Sequence, residues 1–464
     1  MKKLLILLFI GAVSAFSSCG FLDGNKPGDK TPFNPEVYFE EAMITNTDVQ
    51  VGHLQRISAL WSGQLVGYNG SYRLLYDYNM TSEETNDIWE KAFPGVITPM
   101  REVQIQMEDD LLHRGIAKVM EAYIMGTLTS LFGDVPYSEV LQANVSSPKF
   151  DEQLIVYDAV QDLLDEAIAD LEVAQTQVLS YDVYFKGDAE KWVSTAWTLK
   201  ARFFMQVKDY SNAFASAGNG ISAPENSLKY YPALISGNAQ QNRFYEALSG
   251  QYAGQIGTTN AFLMDLLAAG TPVSRNHAKT NEASRRAYFS IDAVFPSNNR
   301  GIAASDEPQG LVTYEENLLI LAEAAARIQG LAQGLVYLNE LRSYLNSGLA
   351  FKKLNTSDLL VYEAFEEADF SNGGIENPYG QESVRAFLRE VIEERYVSGF
   401  GSYMAFDDAR RLRKDDQDID VPFPLNTPSA TLFPERFVIP YIEQINNVNA
   451  PEDPGIFEKT DVNK

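Results

Sequence analysis

The sequence predicts a predominantly α-helical protein made of paired helices, long loop-rich insertions and at most short β-hairpins. Apolar residues recur at the 3.6-residue spacing of an amphipathic helix in five stretches, at 116–128, 157–171, 192–207, 331–345 and 384–392. In the C-terminal half, breaks rich in Gly, Pro or Asn separate these stretches. Alternation of apolar and polar residues, the pattern of a half-buried strand, is short and rare, which argues against an extended sheet.

Two of the helix pairs fit the register of tetratricopeptide repeats, in which small and bulky residues at fixed offsets let two antiparallel helices pack closely. A repeat that begins at Ser194 has Trp197, Ala201, Phe204, Ala213, Ala217 and Gly220 at the signature positions. A repeat that begins at Glu315 has Leu318, Leu321, Ala322, Ala325, Gly334, Leu338 and Leu341 there. The proline expected near the end of each repeat is missing, so an ordinary alanine-rich hairpin remains an alternative. Long insertions are expected at 222–310, 346–380 and 409–464.

Composition and charge exclude several classes of function. The chain has 464 residues, 45% of them hydrophobic, which is enough to bury a core of its own. Its formal net charge of −26 repels phosphate backbones, so we expect no nucleic-acid partner. Three histidines and one cysteine exclude disulfide scaffolds, thiolate zinc sites and His-rich metal centres, and we expect no cofactor.

The N-terminus has the three parts of an export signal. Lys2 and Lys3 precede an apolar run, and small residues follow up to Cys19. The run is too short to span a bilayer. We therefore predict a lipoprotein signal peptide at 1–18, with Cys19 lipidated as the mature N-terminus; a cysteine near an ordinary cleavage site is the alternative. Residues 19–35 are rich in Gly, Pro, Asn and Asp and predict a flexible tether. A single helical domain is expected at 36–464.

One stretch combines aromatic side chains with glycines and amides, which suits a surface that stacks on sugar rings and bonds their hydroxyls. The predicted ligand-binding residues are Trp61, Tyr68, Tyr72, Arg73, Tyr76, Tyr78 and Asn79. A peptide could use the same surface, and burial of these rings in the core is the competing interpretation. Trp89 lies on a predicted helix with Phe93 and is expected in the core. A second candidate loop contains Tyr245, Tyr252 and Asn260.

Several local strings resemble the SusD/RagB family of outer-membrane lipoproteins of Bacteroidetes when they are taken in order. They are Phe21–Asp23 after the cysteine, Leu131–Glu139 after a long helix, Leu318–Ala325 in the later repeat, Phe406–Arg411, and Pro434–Asn446. No single string is specific, but together they extend from residue 19 to about 449. The segment 262–277 departs from the family pattern, because Ala269–Arg275 stands where many relatives have Asp-Pro-Arg.

The resemblance implies a cell-surface protein that captures a nutrient, an oligosaccharide or a peptide, and is not an enzyme. It implies that the protein is lipid-anchored in the outer membrane, faces the exterior and delivers its ligand to a SusC-like TonB-dependent transporter. Ligand contacts vary within the family, so no binding residue is transferred. The strings also have structural interpretations: Gly133 and Pro136 are typical of a helix stop, and Arg410 and Arg411 are expected in ion pairs.

Two other classes of function remain open from the sequence. The chain lacks the His-Glu-x-x-His and Gly-x-Ser-x-Gly motifs and any cysteine nucleophile, but a glycan-cleaving enzyme needs only two carboxylates and there are 63 acids. A protein-binding scaffold that uses the repeat-like groove is the other alternative. Asp416, Asp418 and Asp420 have the spacing of a calcium loop, but Val421 and Thr427 replace its glycine and glutamate, so we interpret them as a solvated acidic turn.

Overall fold

The computed structural model describes residues 33–175, 177–232 and 241–464, and over these the chain is mostly helical. The predicted signal peptide 1–18, Cys19 and the tether as far as residue 32 lie outside the described residues. The last residues of the predicted tether belong to the folded body. The ring of Phe33 packs 5.2 Å from that of Tyr38, and the Asn34 side chain accepts the backbone N–H of Glu36 at 3.1 Å. Asn34 thereby caps a helix whose first residue is Pro35.

Helices occur along the whole length of the described residues. They are α1 (Pro35–Val51), α2 (His53–Trp61), α3 (Gly70–Tyr76), α4 (Asn86–Ala92), α5 (Thr98–Gln106), α6 (Leu111–Phe132), α7 (Gln153–Val173), α8 (Ala189–Gln206), α9 (Tyr210–Ala217), α10 (Arg243–Ser249), α11 (Phe262–Leu266), α12 (Ala283–Phe289), α13 (Tyr314–Gln329), α14 (Leu331–Ser347), α15 (Ser383–Ser398), α16 (Met404–Leu412) and α17 (Tyr441–Asn446). A π-helical turn, Phe93–Ile97, joins α4 to α5.

The strands of the described residues are short and form antiparallel pairs. They are β1 (Val66–Gly67), β2 (Val135–Pro136), β3 (Phe150–Asp151), β4 (Leu228–Tyr230), β5 (Ile256–Gly257), β6 (Thr280–Asn281), β7 (Gln309–Val312) and β8 (Val361–Tyr362). The pairs are β1–β5, β2–β3, β4–β7 and β6–β8. The predicted fold class is therefore confirmed. The chain is predominantly helical, and its described strands form short pairs that connect loops.

Each stretch of apolar periodicity forms a helix, and these are α6, α7, α8, α14 and α15. The longest of them, α6, shows how the sequence sets its ends. Asp110 accepts the N–H of His113 at 3.3 Å and caps the start. Gly133 follows the last residue with φ +80°, a conformation that favours glycine. The predicted helix stop at Gly133 to Pro136 is confirmed.

The two predicted repeats form the helix pairs α8–α9 and α13–α14, and α9 packs against α13. Asn317 on α13 joins them, since its amide donates to the carbonyls of Ala217 (3.0 Å) and Ile221 (3.1 Å) and accepts from the Thr198 hydroxyl (3.0 Å). A Cβ on Gly220, a signature position, would lie 2.3 Å from Asn317 Oδ1. The pairs are thus neighbours in space although the insertion 222–310 separates them in sequence, and the insertion leaves the stack intact.

A substitution at the second repeat tests this close packing. Gly334 lies inside α14, where alanine is favoured over glycine by about 1 kcal/mol. A Cβ there would lie 2.7 Å from the carbonyl oxygen of Ala322 and 2.7 Å from the Phe387 ring. We expect Gly334→Ala to lower the free energy of unfolding by about 1–3 kcal/mol, because overpacking outweighs propensity. Urea titration measures it. The neighbouring exposed change Gln333→Ala should stay within about 0.5 kcal/mol, and a stabilised Gly334→Ala variant would contradict the close approach.

The C-terminal arginines hold three helices together through buried charges. Arg411 on α16 bonds both oxygens of Glu323 on α13 at 2.7 and 2.5 Å, and both side chains are fully buried. Asp408 bonds Arg411 at 2.9 Å and Arg395 on α15 at 2.7 Å. We call Glu323, Arg327, Arg395, Asp408 and Arg411 the buried charge cluster. The prediction that Arg411 forms ion pairs is confirmed.

Arg410 points away from that cluster, to the C-terminal end of α6. It forms an ion pair with Asp407 and donates to the carbonyl of Ser130 at 2.7 Å. Arg436 donates to the carbonyl of Phe132. Both guanidinium groups therefore satisfy carbonyls that have no partner inside the helix, at the end where the helix dipole favours positive charge. The ion pairing predicted for Arg410 is also confirmed.

Candidate functional site

The short pair β1–β5 brings the two predicted aromatic loops together. Val66 pairs with Gly257, and Gly67 pairs with Ile256. Beyond the strands, the Asn69 amide donates to the carbonyl of Gly254 at 3.0 Å. The stretch that contains residues 61–79 and the loop that contains Tyr252 and Asn260, which were separate candidates in the sequence, therefore lie side by side.

Three of the predicted ligand-binding residues are buried beneath this surface. Trp61 is fully buried, its indole N–H donates to the carbonyl of Leu75 at 2.9 Å, and its ring stacks on Phe437 with centroids 4.8 Å apart. Tyr72 is also fully buried. The Tyr78 hydroxyl is buried and accepts the N–H of Asn426 at 3.0 Å. The three side chains therefore lie beneath the surface of the site. The prediction that they contact a ligand is corrected, because in this structure they are buried.

The other four predicted residues reach the surface. Tyr68 and Tyr76 are half-buried, whereas Arg73 and Asn79 are exposed. The Tyr68 hydroxyl donates to the carbonyl of Thr259 at 3.1 Å. Burial raises the pKa of both tyrosines above the ordinary value of 10.0, so both are neutral hydroxyls at physiological pH. We call Tyr68, Asn69, Arg73, Tyr76 and Asn79 the aromatic face.

Arg73 organises the edge of the aromatic face. Its guanidinium bonds both oxygens of Asp77, at 2.7 and 2.9 Å, and lies 5.6 Å from the centroid of the Tyr76 ring, within cation–π range. Asp77 lies beside the face and is held by Arg73. The face presents ring surfaces and hydrogen-bonding groups, which suit binding.

A polar chain under the aromatic face fixes Tyr72. Its hydroxyl accepts from Arg56 Nε at 2.6 Å and lies 3.2 Å from Nδ1 of His53. The other ring nitrogen of His53 is 2.9 Å from Glu84 Oε2. The Tyr252 ring stacks on His53 with centroids 5.8 Å apart. Sequence reasoning missed Arg56, His53 and Glu84, since residues on α2 and on a turn 31 residues beyond His53 have no local pattern in common.

Trp89 lies in the core, as predicted. It is 2% exposed, and its ring centroid is 5.1 Å from those of Phe93 and Phe132. Its indole N–H donates to Glu443 Oε2 at 3.1 Å. Burial raises the pKa of Glu443 above its ordinary value. Trp89 is therefore part of the framework and is not available to a ligand.

A second depression lies beyond the loop that contains Tyr252. Gly254 donates its N–H to the carbonyl of Ala293 at 2.8 Å, which ties this loop to the segment that follows α12. The depression has a volume of 470 Å³. It is lined by Tyr245, Ser297, Asn299, Arg300, Ala304, Ser305, Asp306, Lys352, Lys353 and Leu354. We call it the polar groove, and it includes Tyr245, the first residue of the second predicted loop.

Hydrogen bonds fix one wall of the polar groove. Asn299 is 9% exposed, accepts the N–H of Asp292 at 2.8 Å and donates to its carbonyl at 3.1 Å. The Asp292 carboxylate accepts the N–H groups of Val294 and Phe295, both at 2.9 Å. These hydrogen bonds, with one from Asn298, lower the pKa of Asp292 below its ordinary value. The turn leaves Phe295 61% exposed.

A pocket of 280 Å³, whose lining includes the exposed Tyr231 and Leu349, lies between α12, α13 and the turn after α15. Aromatic side chains that include Phe244, Phe289 and Phe400 form part of its wall. Glu315 also lines it and has one carboxylate oxygen without a hydrogen-bond partner, and burial raises its pKa. None of the predicted ligand-binding residues lies there, so this cavity is separate from the aromatic face.

The predicted acidic turn is less solvated than expected. Asp416 is buried and bonds Arg385 at 2.8 Å and Arg327 at 3.0 Å, and Asp418 also pairs with Arg385. Because these guanidinium groups neutralise the carboxylates, the turn is an ion-pair network. Within residues 33–175, 177–232 and 241–464, no group of three His, Cys, Asp or Glu side chains is arranged to hold a metal ion.

Among the helices described, none has both the length and the apolar character that crossing a bilayer requires.

Comparison with known proteins gives a consistent picture. The sequence matches the SusD-like family described as "starch-binding associating with outer membrane" over residues 30–336. A search of curated proteins finds no match. The fold is similar to that of a SusD/RagB family protein from Bacteroides thetaiotaomicron, with a TM-score of 0.69, 18% identity, and coverage of 90% of this chain and 95% of that one.

Two further structures share the fold. A chitin-binding SusD homologue from Flavobacterium johnsoniae matches with a TM-score of 0.63 and 15% identity over 92% of this chain and 99% of that one. A SusD homologue from Bacteroides fragilis matches with a TM-score of 0.63 and 18% identity over 92% and 100%. Both matches extend over nearly the whole of each chain.

Proposed function

The chain belongs to the SusD-like family of outer-membrane-associated proteins, and from that premise we propose that it captures an oligosaccharide at the cell surface. The observation that carries the proposal is the aromatic face. Tyr68 and Tyr76 present partly exposed rings beside the guanidinium of Arg73 and the amides of Asn69 and Asn79. Ring faces pack against the apolar faces of sugars, and amides and guanidinium groups bond their hydroxyls.

The rest of the proposed role follows from the family. We propose that lipidated Cys19 anchors the protein in the outer membrane, that the body faces the exterior, and that it delivers the ligand to a SusC-like TonB-dependent transporter. The chitin-binding homologue with the same fold supports a glycan as the ligand. A peptide ligand, glycan cleavage and a purely protein-binding scaffold are outcomes that the experiment below separates.

We expect Tyr76→Ala to weaken oligosaccharide binding by about two- to tenfold, because it removes one stacking surface worth about 0.5–1.5 kcal/mol. The measurement is tryptophan fluorescence titration of residues 20–464 with chitin oligosaccharides, malto-oligosaccharides and peptides. Mass spectrometry of each ligand afterwards shows whether it stays intact. Because Tyr76 is half-buried and packs against the core, thermal unfolding is measured alongside, and weaker binding by a variant that is fully folded at the assay temperature is the expected result.

Tyr379→Ala is the matched control, because Tyr379 is 92% exposed and lies outside the aromatic face. It should bind as the unmodified protein does. Equal binding by Tyr76→Ala would remove the aromatic face from the proposal. Cleavage of a ligand would establish that the protein is an enzyme. Binding of peptides alone would show that the ligand is a peptide and not an oligosaccharide. Absence of saturable binding to any ligand would favour the protein-binding scaffold.

A further inference from the structure

The polar groove has a charge that is unusual for this protein. Arg300, Lys352 and Lys353 line it, and none of the three forms an ion pair with a carboxylate of the described residues. Lys353 Nζ donates only to the carbonyl of Thr356, at 3.1 Å. Asp306 is the one acid among the lining residues. The groove therefore has an excess of positive charge in a chain whose net charge is −26.

Several cations elsewhere in the fold are paired with carboxylates. Lys118 bonds Glu166 and Asp170 at 2.9 and 3.0 Å, and Lys200 bonds Asp165 at 2.7 Å. In a strongly acidic protein such pairing is expected, because carboxylates are close to most surface cations. Arg300, Lys352 and Lys353 form no ion pair within the part of the chain that the structure describes, and are thus available to an anion from outside.

Glu307, which follows Asp306 in sequence, lies within electrostatic reach of Lys352. Both side chains line the 280 Å³ pocket, and the Glu307 carboxylate accepts the Tyr288 hydroxyl at 2.9 Å. Burial raises the pKa of Glu307, and the charge of Lys352 opposes that shift. Among the described residues no ion pair joins the two side chains, so the Lys352 ammonium can still bond an anion in the groove.

The groove also has the other features of a sugar site. Tyr245 from α10 supplies a ring, and Ser297 and Ser305 supply hydroxyls. Its volume of 470 Å³ falls within the range of about 300–1,000 Å³ that is common for ligand pockets. Asn299 is fixed by its bonds to Asp292, so this wall is ordered before any ligand arrives. A preorganised wall lowers the entropic cost of binding.

We propose that the polar groove binds an acidic oligosaccharide, with a sugar carboxylate or sulfate on Arg300, Lys352 and Lys353 and a ring against Tyr245. This assignment rests on the proposed function and names the chemical class of its ligand. A polyphosphate such as nucleic acid would meet the negative field of the whole molecule. An oligosaccharide with isolated acidic groups places its few charges only where the three cations lie.

The test is binding of residues 20–464 to a glycan array that carries neutral, uronic-acid and sulfated oligosaccharides. We expect the strongest binding to acidic members, and affinity should fall as ionic strength rises, because exposed charge pairs are screened. Lys352→Gln/Lys353→Gln should weaken binding of the best acidic glycan by about tenfold. Both residues lie on a loop at the surface, so the fold should persist.

The matched control is Lys186→Gln/Lys459→Gln, which removes the same charge from side chains that do not line the groove. It should bind like the unmodified protein. If a neutral glycan binds best, or if the two double variants behave alike, the acidic ligand is refuted and oligosaccharide capture stands. If inorganic sulfate at the same concentration competes as well as the glycan, the groove binds only an adventitious ion. Absence of binding to any array member overturns both this inference and the proposed function.

Discussion

Glu323→Ala is expected to lower the free energy of unfolding by about 3–5 kcal/mol, the usual cost of removing one partner from a buried ion pair. Glu323 is completely buried, and its carboxylate bonds Arg411 and Arg327 and lies 3.6 Å from Arg395. Without it three guanidinium groups would share Asp408 and Asp416 in a medium that solvates charge poorly. Chemical denaturation at pH 7 measures the loss.

An exposed glutamate provides the comparison. Glu90→Ala removes the same side chain from the surface of α4 and should change the unfolding free energy by no more than about 0.5 kcal/mol. Equal effects of Glu90→Ala and Glu323→Ala would show that the buried charge cluster contributes nothing to stability.

The same cluster makes stability depend on acid. Burial opposes ionisation of Glu323, but the charges of Arg411, Arg327 and Arg395 outweigh it and lower the pKa to about 2 from the ordinary 4.5. A carboxyl whose pKa is lowered on folding stabilises the protein fully above pH 4.5, and this contribution is lost as the pH falls towards 2. The difference in stability between the unmodified protein and Glu323→Gln should therefore shrink across that interval. A constant difference would contradict the ionised pair.

Cys19→Ala is expected to move the protein from the membrane fraction to the soluble fraction. Cys19 is the only cysteine of the chain and lies at the predicted cleavage point, so no other side chain could carry the lipid through sulfur. Stable anchoring by lipid requires about two acyl chains, and the variant would have none. Fractionation of cells followed by immunoblotting measures the shift.

Ser18→Ala retains a small residue before the cysteine and should stay in the membrane fraction. If Cys19→Ala also stays there, the predicted lipidation is wrong. Protease treatment of whole cells tests orientation separately, because a protein that faces the exterior is digested and one that faces inward is protected.

The helical fold could be predicted because its signals are local. The stripe at 116–128 contains its own period and ends at Gly133, so α6 needs no distant information. For the buried charge cluster, the sequence indicated only that Arg410 and Arg411 form ion pairs. Arg411 and Glu323 are 88 residues apart in sequence, and a sequence with 63 acids does not indicate which acid Arg411 meets.

The candidate site remains a proposal, and the sequence did not indicate which of its side chains are buried. The tyrosines lie in a glycine-rich stretch for which the sequence indicated no helix, whereas Gly70–Tyr76 forms α3. On a helix, Tyr72 and Leu75 face the interior while Arg73 and Leu74 face solvent. The burial of Tyr72 depends on Arg56 and His53 from α2, and the polar groove combines Tyr245 with Lys352 from beyond α14. Such long-range pairings leave no periodic trace in the sequence.

The strand pair β4–β7 holds the two ends of the insertion between the repeats close together. Leu228 pairs with Val312, and Ile221 donates its N–H to Thr198 at 2.9 Å, so the chain leaves and re-enters the helical stack at almost the same point. The entropic cost of a loop whose ends already meet grows only with the logarithm of its length. Evolution can therefore lengthen, shorten or replace the segment that contributes Tyr245 and Arg300 at little thermodynamic cost to the stack. Ligand preference and scaffold stability can thus diverge independently in related proteins.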